Sequence, residues 1–144
     1  MPPDTQPNST QPPPTRPPAP PTRPHPTHAG LAPPEVALAI GAHPDDVEFG
    51  CGATLARWAA HGTRIHHLIC TDGSKGTWDV SADLEALVAR RQDEQRAASR
   101  ALGGSGDVTF LNRVDGELVN DPDTLSEVVR SIRTIKPNVV LGHD

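Results

Sequence analysis

Val36-Ala-Leu-Ala-Ile-Gly41, followed at once by Ala42-His43-Pro44-Asp45-Asp46, is the stretch on which the reading of this 144-residue chain turns. The first six residues are a short continuous apolar run closed by glycine, the pattern of a strand buried on both faces. The next five are polar and chain-turning. A buried strand that runs straight into His, Pro and two Asp predicts an α/β sheet with functional side chains at the strand's carboxyl end.

Working outward, the rest of the chain repeats that alternation. Gly50 to Gly62 places Leu55, Trp58 and Ala59 at helical spacing, with Gly62 as a C-terminal stop. Trp58 reads as core. Ile65 to Cys70 is a second strand, followed by the turn Thr71-Asp72-Gly73-Ser74. Leu84 to Leu102 is a longer helix, with Leu84, Leu87, Val88, Arg91, Gln95, Ala98 and Leu102 on one stripe and Gly103-Gly104 ending it. Val108 to Leu111 is a third strand. Asp123 or Thr124 caps a helix through Ile135, Pro137 follows it, and Val139-Val140-Leu141 is a fourth strand. The order β-α-β-α-β-α-β predicts a Rossmann-like parallel sheet with helices on both faces and right-handed crossovers. Ligands in such sheets bind beyond the carboxyl ends of the strands. That rule selects residues 42–49, 71–79, 112–118 and 142–144.

The first of these loops is the densest chemically. His43, Asp45, Asp46 and Glu48 fall within six residues. Three carboxylates so close repel one another unless a cation or hydrogen bonds offset the charge. A His nitrogen with carboxylate oxygens suits Zn²⁺, Fe²⁺ or Mn²⁺, and His43 and Asp46 stand three apart across a Pro-fixed turn. Asp45 could then take a proton from a metal-activated water. The same spacing also suits a polar loop whose Asp residues cap the following helix. The loop Asp72 to Asp79 is Gly-rich but lacks the Walker A pattern, and its place favours a site wall over a bare surface loop. Arg91 lies on the inward stripe, where an unpaired charge is expensive, so Glu94 or a ligand is its expected partner. Asp115-Gly116-Glu117 reads as a turn first and a ligand contact second. His61, His66 and His67 read as structural, and the His25/His28 pair as incidental.

Composition sets the limits. Fourteen of the 17 prolines fall in residues 1–34, where Leu31 is the one large apolar residue after Met1. That segment predicts a disordered, polyproline-rich tail with no secretory core, of a kind that could serve as a linker or SH3-type ligand. The folded part, residues 35–144, carries a formal charge of −6. This disfavours nucleic acid as a partner. No run approaches the ~18 apolar residues needed to span a membrane. Cys51 and Cys70 read as free buried thiols, and a reducing cytoplasm is the default compartment.

Gly41-Ala-His-Pro-Asp-Asp-Val-Glu-Phe-Gly-Cys-Gly-Ala-Thr-Leu55 resembles the signature of the LmbE-like (PIG-L) zinc-dependent N-acetylglucosaminyl deacetylases. The likeness continues through Thr71 to Thr77, Arg90-Arg-Gln-Asp-Glu94, Asp115-Gly-Glu117 and Pro137-Asn-Val-Val140. It implies hydrolysis of an N-acetyl amide on a small amino-sugar substrate. By this resemblance His43 and Asp46 are ligands to Zn²⁺ (or another divalent ion such as Fe²⁺), and Asp45 is the general base. Arg91 and Asp115 hold sugar hydroxyls, with Glu94 supporting Arg91. The family's third ligand is a histidine of a His-Pro-Asp-His segment, beyond the Gly-His-Asp that follows the fourth strand. His143 is not its match. The expectation is therefore the N-terminal portion of a deacetylase domain, with the third ligand and further strands absent from this chain and activity weakened accordingly. The alternative is a non-catalytic α/β remnant that binds a sugar or a protein partner; a third reading is a hydrolase of another amide or a phosphoryl substrate.

Overall fold

The computed structural model describes residues 32–143. The Pro-rich segment up to Leu31, the His25/His28 pair and Asp144 lie outside the described residues. Within them, strands and helices alternate as β1 (Val36–Gly41), α1 (Asp46–Ala59), β2 (Arg64–Thr71), α2 (Leu84–Ala101), β3 (Val108–Arg113), α3 (Pro122–Ile135) and β4 (Val139–Leu141). The sheet order is β3-β2-β1-β4, and each neighbouring pair is parallel. The chain steps β1, β2, β3 in one direction, then returns past β1 to β4. Right-handed crossovers therefore place α1 and α2 on one face and α3 on the other. The direction reverses at β1, so its carboxyl end lies at the switch point where such sheets bind ligands.

Alternation along the strands builds the core. Ala37, Ala39, Ile65 and Ile69 meet Val47, Leu55 and Trp58 of α1, with Leu102 packed against the group. Leu38 and Leu68 are fully buried on the opposite side of the same strands. Cys51 and Cys70 are free thiols, and burial pushes the pKa of each up, which makes them poor nucleophiles.

Two helix starts differ from the sequence expectation. Helix α1 begins at Asp46 rather than Gly50, because Asp45 ends the turn and the acidic Asp46 and Glu48 suit a first helical turn. Helix α3 begins at Pro122 and is capped by Asp121, not by Asp123 or Thr124. Asp121 Oδ1 accepts from the Thr124 amide at 2.8 Å, and Pro122 lacks the N–H that the first turn would leave unpaired.

The ladder between β2 and β3 breaks near its carboxyl end, where Ile69 pairs with Phe110 but Thr71 pairs with Arg113. The extra residue bulges out of β3, and Asn112 takes a left-handed φ of 53° there. The bulge redirects the segment that follows β3 toward the loop after β1.

Candidate active site

The site is assembled where β1 turns into α1. Gly41 allows the turn to fold back, since a Cβ there would lie 3.1 Å from Asp46 Cβ and 3.3 Å from the His43 carbonyl oxygen. Asp45 occupies the N-cap position with φ 95°, yet its side chain makes no capping bond. The Glu48 amide, which a capping side chain would take, bonds instead to the Asp45 carbonyl at 3.1 Å, beside the first regular helical bond from the Phe49 amide at 3.2 Å. The Asp45 carboxylate is thereby left for other work. It faces Arg91, whose Nη2 lies 3.2 Å from Asp45 Oδ2 and donates to the Pro44 carbonyl at 2.7 Å.

Asp46 turns back on the loop. Its Oδ2 accepts from the His43 amide at 2.8 Å and lies 3.4 Å from both His43 Nδ1 and His143 Nε2. On the far side of its ring, His43 Nε2 is 3.0 Å from Asp115 Oδ1. A proton held on Nε2 by that carboxylate leaves Nδ1 as an acceptor facing Asp46. A histidine anchored to a carboxylate through one nitrogen and offering the other is the usual setting of a metal-ligating imidazole. His43 and Asp46 thus fit as two donors to one divalent ion. Among the described residues, no group of three or more His, Cys, Asp or Glu could hold a metal ion.

The bulged segment after β3 brings Asp115 here. Asp72 Oδ1 accepts from the amides of Ser74 and Asp115 at 2.9 and 3.1 Å, locking the loops after β2 and β3 together. Burial pushes the Asp72 carboxyl up, but these bonds outweigh it and hold it below its usual range. Asp115 Oδ2 takes the Lys75 amide at 3.2 Å. Asp115 is accordingly tied to His43 through one oxygen and to the loop after β2 through the other. Glu94 does not reach Arg91: its Oε1 is 4.0 Å from Arg90 Nε on the exposed side of α2. Arg91 bonds to the loop after β1 instead, and its Nε is buried without a partner.

Two further residues belong to this neighbourhood. Gln95, 2% exposed on α2, accepts from the Asp45 amide at 2.8 Å and donates to Glu48 Oε1 at 2.6 Å. Its Nε2 also lies 3.1 Å from Nδ1 of the buried His67. Burial pushes the Glu48 carboxyl above its usual range, and the nearby charges of Asp45 and Asp46 add to that rise. The sequence placed Gln95 on the inward stripe of α2 but gave it no task. An amide on a buried stripe is the signal that could have found it, because it must be hydrogen-bonded there. A cavity of about 130 Å³ opens beside this cluster, lined by Pro44, Asp45, Glu48, Arg91, Gln95 and their neighbours.

The Arg91 guanidinium rests against the glycines of the loop after β2. Gly73 has φ +67°, and a Cβ there would lie 2.8 Å from Arg91 Nε and 3.0 Å from Pro44 Cδ. Gly73→Ala is expected to destabilise the fold by about 1–2 kcal/mol, from left-handed strain plus displacement of Arg91. Urea unfolding checks this; unchanged stability would mean that the loop relaxes without moving Arg91.

Comparison with known proteins gives four informative matches. Residues 38–144 match the PIG-L family, described as GlcNAc-PI de-N-acetylase. Diacetylchitobiose deacetylase of Thermococcus kodakarensis is 34% identical over 107 residues, covering 74% of this chain and 40% of that protein. The structure of N,N′-diacetylchitobiose deacetylase from Pyrococcus horikoshii superposes with a TM-score of 0.71 at 30% identity, covering 74% of this chain and 40% of that one. The structure of 4-carboxy-2-hydroxymuconate hydratase from Pseudomonas putida gives a TM-score of 0.68 at 26% identity, covering 76% and 47%. The chain thus spans less than half the length of these relatives.

Proposed function

Because this chain belongs to the PIG-L family, we propose that it carries the water-activating loop of a metal-dependent hydrolase that removes the N-acetyl group from an N-acetylglucosamine-type sugar. The observation that carries this reading is the Asp45 carboxylate, which sits at a helix N-cap without capping and stands beside the His43/Asp46 donor pair.

His43 and Asp46 would hold the ion, Zn²⁺ in the first instance, with Fe²⁺ suiting the same donors. When bound, such an ion supplies Lewis acidity toward the amide carbonyl and lowers the pKa of the attacking water. Asp45 takes a proton from that water as its oxygen adds to the acetyl carbon. As the C–N bond breaks, the proton passes to the leaving nitrogen, giving acetate and a free amine. Arg91 holds the Asp45 carboxylate in place, and Asp115 keeps the His43 ring turned toward Asp46. In the same reading Arg91, which lines the cavity beside the loop, and Asp115 would meet the sugar hydroxyls. The substrate in this reading is a small N-acetylated amino sugar met in the cytoplasm. Among the described residues, no helix is long and apolar enough to cross a membrane.

The test measures two quantities on the purified chain supplied with Zn²⁺: bound metal, and acetate released from N,N′-diacetylchitobiose. Wild type is expected to show both, and His43→Ala to lose both. Equal metal content in His43→Ala would overturn the ligand assignment. Metal binding without acetate release would favour a different use of activated water, such as the hydration performed by the Pseudomonas relative. Sugar binding with neither metal nor turnover would favour a binding module.

A further inference from the structure

We propose that Gln95 is the positioning residue for Asp45, holding the base in its working conformation through the Asp45 backbone amide. The inference rests on the reading of Asp45 as the base.

Asp45 has φ 95° and ψ −23°, a region that costs a residue other than glycine about 1–3 kcal/mol and persists only where neighbours enforce it. The enforcing contacts come from one helix. Arg91 grips the Pro44 carbonyl and the Asp45 carboxylate, and Gln95, one turn further along α2, grips the amide between them. The orientation of the Gln95 side chain follows from its partners. The Asp45 amide can only donate, so the Gln95 oxygen must face it. The Gln95 NH₂ then has its two hydrogens for its two neighbours, Glu48 Oε1 and His67 Nδ1. One buried amide thus ties the loop after β1 to α1, α2 and β2 at once.

No other common side chain satisfies all three partners. Glutamate retains an acceptor for the Asp45 amide but loses both donors and sets a second carboxylate against Glu48. Methionine fills much of the space and makes none of the bonds, which leaves the part-buried Asp45 amide without its partner. Loss of that bond removes a tether from a turn whose φ of 95° persists only where neighbours enforce it, so the strained turn is the part that yields.

The test compares Gln95→Met, Gln95→Glu and Ser99→Ala, reading the hydrogen-exchange rate of the Asp45 amide by NMR alongside kcat and KM for acetate release. Ser99 lies one turn beyond Gln95, fully buried, with no hydrogen bond from its Oγ, so it controls for a general loosening of α2. In Gln95→Met, Asp45 exchange is expected to speed at least about tenfold, and kcat to fall by a similar factor with KM held within about twofold. Gln95→Glu is expected to keep Asp45 exchange near wild type, because its acceptor remains, and Ser99→Ala to leave it unchanged. If Gln95→Met does not fold, Gln95→Glu against Ser99→Ala still decides. Equal exchange in wild type and Gln95→Met, fast exchange in Gln95→Glu, or equal acceleration in Ser99→Ala would overturn the proposal. Absence of acetate release from wild type would count against the proposed function alone, since the exchange reading needs no turnover.

Discussion

Asp45→Asn is expected to lower acetate release at least about 100-fold while bound metal stays at the wild-type level, the size of effect that follows from losing a positioned general base. Asparagine suits this test because of the backbone it must adopt. Asp45 sits at φ 95°, and Asn and Asp enter left-handed conformations more readily than other residues with a Cβ. The substitution therefore leaves the turn, the Gln95 bond to the amide and the helix start intact, and removes only the negative charge that accepts the proton. Asp45→Ala would add backbone strain and mix two causes. A kcat within about threefold of wild type in Asp45→Asn would transfer the base to another group; Glu48, already raised by burial, is the nearest candidate. A parallel loss of metal would instead make Asp45 a ligand.

The Asp45 conformation also explains what the sequence could and could not reveal. The apolar run 36–41 and the turn at Pro44 are local features, and β1 and the site loop lie where that pattern puts them. The strand order and the partition of helices follow from alternation and handedness, which are general rules of parallel sheets. Side-chain assignments on the first loop depended on neighbours distant in sequence, and there the pattern was silent. Whether Asp45 caps its helix or faces the site is decided by Arg91 and Gln95, 46 and 50 positions away. Glu94 was a reasonable partner for Arg91 by helical spacing, but Arg91 finds better acceptors on the loop after β1, and Glu94 stays at the surface beside Arg90. Asp115 reaches His43 only because β3 carries a bulge, and a bulge leaves no mark in hydrophobic periodicity. His67 read as structural because it lies within a strand. Its ring does fill the core, yet through Gln95 it also touches the support of the site.

That buried ring gives the second large effect, on stability below neutral pH. Burial, with a smaller contribution from the charge of His66, lowers the His67 pKa from 6.5 to about 4. The unfolded chain therefore takes up a proton in a range where the native state does not. The neutral ring contributes stability that is complete above pH 6.5 and is lost as pH falls toward 4. At 1.36 kcal/mol per pH unit, the full gap between those values corresponds to about 3 kcal/mol. The groups around the ring set the direction. Glu48 Oε1 lies 3.9 Å from Nδ1, and Gln95 presents a donor to that same nitrogen, which favours the unprotonated form. Glu48 works in the opposite sense: its raised pKa means that the native state binds a proton more readily than the unfolded chain just above pH 4.5, so its contribution falls as pH rises through that range. The two effects are separated by substitution. His67→Asn offers an amide oxygen to Gln95 and does not titrate. Between pH 7 and pH 4.5, wild type is expected to lose about 2 kcal/mol more unfolding free energy than His67→Asn, read from urea unfolding at each pH. Equal losses in the two proteins would mean that His67 is protonated in the native state by pH 4.5. The Gln95 amide could not then donate to Nδ1, and the junction that supports Asp45 would have to be redrawn.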